Sequence, residues 1–270
     1  MNVRHEEHGG AEEETGPLPP LPTFLIIGAQ KSATRWLRLN LGLHPDIFTA
    51  DGEPTYFNSA HFDEGPSWYR AQFEGWSGEG VIGEATPGYM FWRHGPARMA
   101  ERIDRTLPDV KLLAILRNPV DRALSALIHH IEGGKFPPDT DLIEHVAGIR
   151  PQEDRQGVVV GGWYAASLTP FFERFGDRLA VVLRDDLDED PRGVYDTAVR
   201  HVGAQPDFVP PELDRVRFSY QQRPDSRHAD RELSLAQRRT MYEYFADDIR
   251  KLETLLDRDL SLWDPEQPGS

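Results

Sequence analysis

The stretch Phe24-Leu25-Ile26-Ile27-Gly28-Ala29-Gln30-Lys31-Ser32-Ala33-Thr34-Arg35-Trp36 decides how the chain is read. An apolar run reaches a glycine, passes through a lysine and two hydroxyl residues, and continues as a sequence that can start a helix. Backbone N–H groups at a helix N-terminus, beside an ammonium and hydroxyls, suit a phosphate-like anion. An ordinary strand-to-helix turn with a solvated lysine has the same local pattern, so the segment needs support from elsewhere in the chain. It is not a Walker A loop, which requires Gly-x-x-x-x-Gly-Lys-Ser/Thr. Here Lys31 comes three residues after Gly28, and Ala33-Thr34 stand where Gly-Lys is needed.

Outward from this stretch, strand-like runs at 23–27, 80–82, 111–116 and 179–183 alternate with helical stretches at 34–43, 96–106, 119–132, 165–175, 192–202 and 234–256. The alternation predicts an α/β fold, a parallel central sheet flanked by helices. Ser234 followed by Gln237 predicts a capping box on the last helix. Residues 133–156 read as a loop that can cover a cleft. With 270 residues, 39% of them hydrophobic, the chain can bury a sizeable core. No repeat and no second domain emerges. The expected organisation is a disordered acidic, proline-rich tail over 1–22, a single domain over 23–263 and a flexible C-terminus over 264–270.

The absence of cysteine excludes disulfides and thiolate metal sites. No apolar run approaches the ~20 residues of a membrane span, and the N-terminus is acidic rather than signal-like, so a soluble, cytoplasmic protein is expected. A net charge of −15 argues against nucleic acid or an anionic membrane as partner. It also gives weight to the few places where cations gather.

A second such place is Lys111-Leu-Leu-Ala-Ile-Leu-Arg117-Asn118-Pro119-Val-Asp-Arg122-Ala-Leu-Ser125. Asn118 suits an N-cap and Pro119 the first helical position, so Arg117 emerges at a strand's C-terminal end, where α/β sheets bind ligands. Ser125 follows roughly 10 Å along the helix axis. A guanidinium fork and that hydroxyl can bracket one phosphate. An arginine paired with Asp121 and a plain surface serine is the other reading of these residues.

Taken together, the two segments resemble the nucleotide-binding motifs of sulfotransferases that use 3′-phosphoadenosine-5′-phosphosulfate (PAPS). Lys31, Ser32 and Thr34 match in kind their 5′-phosphosulfate loop, roughly Lys-x-Gly-Thr-Thr. Ala33 replaces the glycine and Arg35 the second threonine. Arg117 and Ser125 have the spacing of the 3′-phosphate motif. Further segments resemble the heparan sulfate N- and O-sulfotransferase branch: Asp51-Gly-Glu53-Pro-Thr-Tyr56-Phe57, Ser67-Trp68-Tyr69-Arg-Ala-Gln-Phe73, Gly83-Glu84-Ala-Thr86-Pro87-Gly-Tyr89-Met-Phe91, and Gly162-Trp163-Tyr164-Ala165. The resemblance covers about residues 23–263 and implies a P-loop nucleotide-kinase-like sulfotransferase fold, PAPS as donor with PAP as product, and no metal. It implies a bacterial-type cytoplasmic enzyme suited to a carbohydrate or a glycosylated small natural-product acceptor, as in natural product biosynthesis. The oligomeric state stays open.

Carried onto this sequence, the resemblance gives Gln30, Lys31, Ser32, Ala33, Thr34, Arg35, Arg117, Ser125 and Tyr164 to the nucleotide. Lys31 stabilises the leaving phosphate, and Glu53 stands where heparan-type enzymes carry their base. Cytosolic relatives use histidine, so His61, His129 and His130 are alternatives. The family's late lysine- or glycine-rich loop is absent; Arg223 and Arg227 can replace its cation. Tyr56, Phe57, Trp68, Tyr89 and Trp92, with His61, are candidates for an acceptor cleft, although aromatics at such positions also build cores. Glu84 can pair with Lys31 or Arg35, or touch the acceptor. A P-loop kinase or NTPase is disfavoured by Arg117, where an aspartate would hold magnesium. A non-catalytic nucleotide- or glycan-binding protein on the same fold is the other rival.

Overall fold

The computed structural model describes residues 19–91, 95–214 and 231–267. Five strands form one parallel sheet: β1 (Phe24–Gly28), β2 (Ile47–Thr49), β3 (Val81–Ala85), β4 (Lys111–Leu116) and β5 (Leu179–Leu183), in the order β2-β3-β1-β4-β5. In register, Phe24 lies opposite Gly83 on one side and Lys111 on the other, and Leu112 to Leu116 run in step with Leu179 to Leu183.

All five residues of β1 are buried, as expected of a parallel strand covered on both faces. Phe24 and Ile26 join Leu113 and Ile115 on the face covered by α1 (Thr34–Leu41) and α8 (Pro191–Val202). Leu25 and Ile27 join Leu112, Ala114 and Leu116 on the other. There α2 (Gly65–Ala71), α3 (Pro96–Thr106), α4 (Pro119–Glu132), α6 (Tyr164–Phe175) and α9 (Leu235–Leu256) pack. Each large side chain so buried contributes about 1.5–3 kcal/mol.

Strands β4 and β5 and helices α3 and α4 have the bounds that the apolar runs predict. The Ser234–Gln237 capping box forms reciprocally, with Gln237 N donating to Ser234 Oγ at 3.3 Å and Ser234 N to Gln237 Oε1 at 3.0 Å. Four short elements were not expected: β2, α2, α5 (Leu142–Gly148) and α7 (Arg184–Glu189). Helix α5 lies within the stretch 133–156 read as loop, and its start is fixed by Asp141 Oδ1, which accepts from Ile143 N and Glu144 N. The expected strand 80–82 extends to Ala85, because Glu84 stays inside the sheet, fully buried.

Strand β1 sits between β3 and β4, so the chain reverses its direction of travel across the sheet at this point. The crevice beyond the C-terminal ends of these strands is where open α/β sheets bind ligands. Among the described residues no helix is long and apolar enough to cross a membrane.

Candidate active site

The loop after β1 is the first wall of this crevice. Gly28 admits no side chain, since a Cβ there would fall 2.0 Å from Met90 Sδ. Lys31 and Ala33 both hold left-handed backbone, at φ 68° and 76°, a conformation that costs L-residues roughly 1–2 kcal/mol each. Helix α1 then begins at Thr34 with no side-chain hydrogen bond at its cap. Ser32 is wholly buried; its Oγ makes no hydrogen bond of ordinary geometry, although it lies close enough to the Tyr164 phenol to lower that group's pKa. Uncapped helix N–H groups and an orphaned hydroxyl are the complement of a bound phosphate.

The loop after β4 forms the second wall. The Arg117 carbonyl accepts from Tyr164 Oη at 2.9 Å; Tyr164 is buried, and burial raises its pKa. Asn118 Oδ1 caps α4 by accepting from Val120 N. Ser125 is 5% exposed, so it is not a surface serine. Between them Arg122 is completely buried: its Nη2 donates to the Val158 carbonyl, while Nε and Nη1 have no hydrogen-bond partner. Burial lowers its pKa, and Tyr164 and Asp154 oppose that shift. Sequence reading passed over Arg122. Its one signal was a charged residue within the otherwise apolar face of α4.

Asp154 is equally buried. Its carboxylate accepts from the N–H groups of Val158, Val159 and Val160 at 2.7–2.9 Å. This turn holds residues 155–161 against the crevice.

A cleft of about 230 Å³ opens between the loop after β1 and the turn at 155–161, lined among others by Gln30, Glu53, Thr55, Thr86, His130 and Arg155. Glu53 stands exposed at its rim, yet the protein around it raises its carboxyl pKa and the charge of Arg38 partly opposes this. Arg38 also anchors the loop, Nη1 donating to the Ala50 carbonyl at 2.9 Å. His130 Nε2 lies 3.0 Å from the Gln156 carbonyl, which can only accept, so Nε2 carries the hydrogen and Nδ1 the lone pair. Burial lowers the His130 pKa, assisted by the charges of Lys31 and Arg122.

Glu84 is held by three hydroxyls, not by the expected cations. Tyr69 and Tyr89 donate to Oε1 at 3.0 and 2.7 Å, and Thr86 to Oε2 at 2.8 Å. Burial pushes its carboxyl up to about 7, with those hydrogen bonds opposing and the charge of Glu53 adding. It does not line the cleft.

The aromatic candidates are corrected in the same way. Tyr56, Phe57 and Tyr89 are 0–2% exposed and form core behind the cleft. Tyr56 stacks on Tyr69 with ring centroids 4.3 Å apart, so both rings are removed from water. Trp68 stacks on His61 at 4.0 Å, and His61 Nδ1 pairs with Glu64 Oε1 at 2.7 Å; neither lines the cleft. His129 and Arg35 are exposed. Trp92, Arg223 and Arg227 lie outside the described residues.

Residues 21–223 match the family model described as a sulfotransferase domain. Human heparan sulfate glucosamine 3-O-sulfotransferase 6 is 30% identical over 189 residues, 70% of this chain and 52% of that protein. The membrane-associated sulfotransferase kil1 of Dictyostelium discoideum is 34% identical over 137 residues, 48% of this chain and 28% of that one. The chain thus spans about half or less of the length of the curated relatives it matches. The crystal structure of a sulfotransferase from Alicyclobacillus acidocaldarius superposes with a TM-score of 0.73 at 28% identity, covering 90% of this chain and 99% of that one.

Proposed function

The chain belongs to the sulfotransferase family, and on that premise we propose that it transfers a sulfuryl group from PAPS to a hydroxyl, or less favourably an amine, of a carbohydrate or glycosylated small-molecule acceptor. A single domain over residues 23–263 carries the reaction. The observation that supports this most is one cleft lined both by Ala29 and Gln30 of the anion loop and by Glu53. The relatives' names include a heparan sulfate glucosamine sulfotransferase, in keeping with a sugar hydroxyl.

PAPS, when bound, supplies an activated sulfuryl group on a phosphate leaving group. The loop N–H groups, Ser32 Oγ and Lys31 would hold its 5′ side, and Arg117 with Ser125 its 3′-phosphate. Lys31 neutralises charge as it grows on the leaving oxygen, the role fixed cations play in phosphoryl transfer. Glu53 takes the acceptor's proton. Its raised pKa makes it a stronger base than a free glutamate.

His130 offers a second reading of the base. It lines the same cleft, burial lowers its pKa, and its neutral form presents Nδ1 as acceptor. Transfer of labelled sulfate from PAPS across a panel of sugars, phenols and glycosylated small molecules tests the proposal. Transfer to none of them, with PAP still bound, would sink it.

A further inference from the structure

Glu84 does not line the cleft, yet its hydrogen bonds lead to the loop that carries Glu53. The Thr86 hydroxyl gives its one hydrogen to Glu84 Oε2 at 2.8 Å, which leaves its oxygen free to accept. It accepts the Thr55 N–H at 3.1 Å. Thr55 lies two residues beyond Glu53, separated only by Pro54, and holds left-handed backbone at φ 53° and ψ 21°. A β-branched residue in that region needs an external restraint. On the near side of Glu53, Arg38 grips the Ala50 carbonyl. The loop is therefore fixed at both ends.

We propose that Glu84 is a positioning residue for Glu53: through the Thr86 hydroxyl it fixes the Thr55 N–H and so holds the Glu53 carboxylate at the cleft. This rests on the reading of Glu53 as the base. The ionisable groups facing Glu84 are Tyr69 from α2, Tyr89 from the segment after β3, and Glu53 from the loop after β2, with the Thr86 hydroxyl as a neutral donor beside them. Both tyrosines are shifted upward and stay neutral, so among the described residues the charge acting on Glu84 is that of Glu53. Ionisation of Glu84 strengthens its grip on the Thr86 hydrogen.

A core carboxyl that merely satisfied two tyrosines would not depend on Thr86. Thr86→Val keeps the shape and both tyrosine bonds while cutting the link to Thr55. We expect Thr86→Val to lower kcat at least tenfold with PAP affinity within twofold of wild type, and Thr86→Ser to restore kcat. The wild-type kcat–pH profile should show an inflection near neutrality that Glu84→Gln lacks. Unchanged kcat in Thr86→Val would overturn the proposal. Amide exchange at Thr55 decides the point independently of turnover: it should rise at least tenfold in Thr86→Val, and an unaltered rate would overturn the proposal even in a protein whose activity proved different. A wild type that transfers no sulfate would instead count against the base assignment, with Thr55 exchange still deciding the positioning.

Discussion

Gly28 and Met90 meet where no further atom fits: a Cβ on Gly28 would lie 2.0 Å from Met90 Sδ and 2.2 Å from its Cγ. The contact joins the start of the anion loop to the segment after β3, and Met90 N donates to the Ile27 carbonyl at 3.1 Å. Gly28→Ala must displace the buried thioether. Overpacking of this kind costs about 1–3 kcal/mol. Urea denaturation should show that loss together with weaker PAP binding, and Met90→Ala in the same chain should recover part of both.

Ala33 is strained where it stands. At φ 76° an alanine costs about 1 kcal/mol or more relative to glycine, which roughly balances the unfolded-state entropy that a glycine adds. Ala33→Gly should therefore change stability by less than about 1 kcal/mol and keep PAP affinity, whereas Ala33→Val should lose both. Equal behaviour of the two variants in denaturation and calorimetry would contradict the strain.

The buried turn at Asp154 couples stability to the cleft. Asp154→Asn removes the charge opposing that of Arg122 and replaces an acceptor of three N–H groups by an amide that matches them poorly. Removing one member of such a buried arrangement costs about 3–5 kcal/mol. Because Arg155, Gln156 and Gly161 line the cleft, the variant should also raise the acceptor KM more than the donor KM.

Glu84 gives stability a pH dependence of known sign. Its folded pKa, about 7, lies above the ordinary glutamate value of 4.5, so between these values the folded chain holds a proton that the unfolded chain has lost. Stability falls as pH rises from about 4.5 to 7, by roughly 3 kcal/mol from this group, at 1.36 kcal/mol per pKa unit. The wild-type minus Glu84→Gln difference in unfolding free energy should slope downward across that window. A flat difference would show that the carboxyl titrates as an ordinary glutamate.

The central strand and its neighbours were legible because parallel strands leave continuous apolar runs and Asn118-Pro119 marks a helix start with unusual clarity. Strand β2 was not, since Ile47-Phe48-Thr49 is too short to stand out and owes its existence to pairing with β3. The anion loop and the Glu53 segment could be picked out because each is a local pattern. What the sequence could not show were relationships made by tertiary packing. Tyr69 reaches Glu84 from α2, His130 reaches the cleft from two turns beyond Arg122, and Arg122 is buried by a loop more than 30 residues away. Tyr56 and Tyr89 look alike in a cleft or a core until their neighbours are known.

The most direct measurement of the account is the rate of sulfate transfer from labelled PAPS by Glu53→Gln beside wild type at saturating donor and acceptor. Loss of a general base should reduce kcat by about 10²-fold or more with the PAP dissociation constant unchanged. Turnover within a few-fold of wild type, particularly if His130→Ala were then inactive, would contradict the assignment of Glu53 and move the base to the other wall of the cleft.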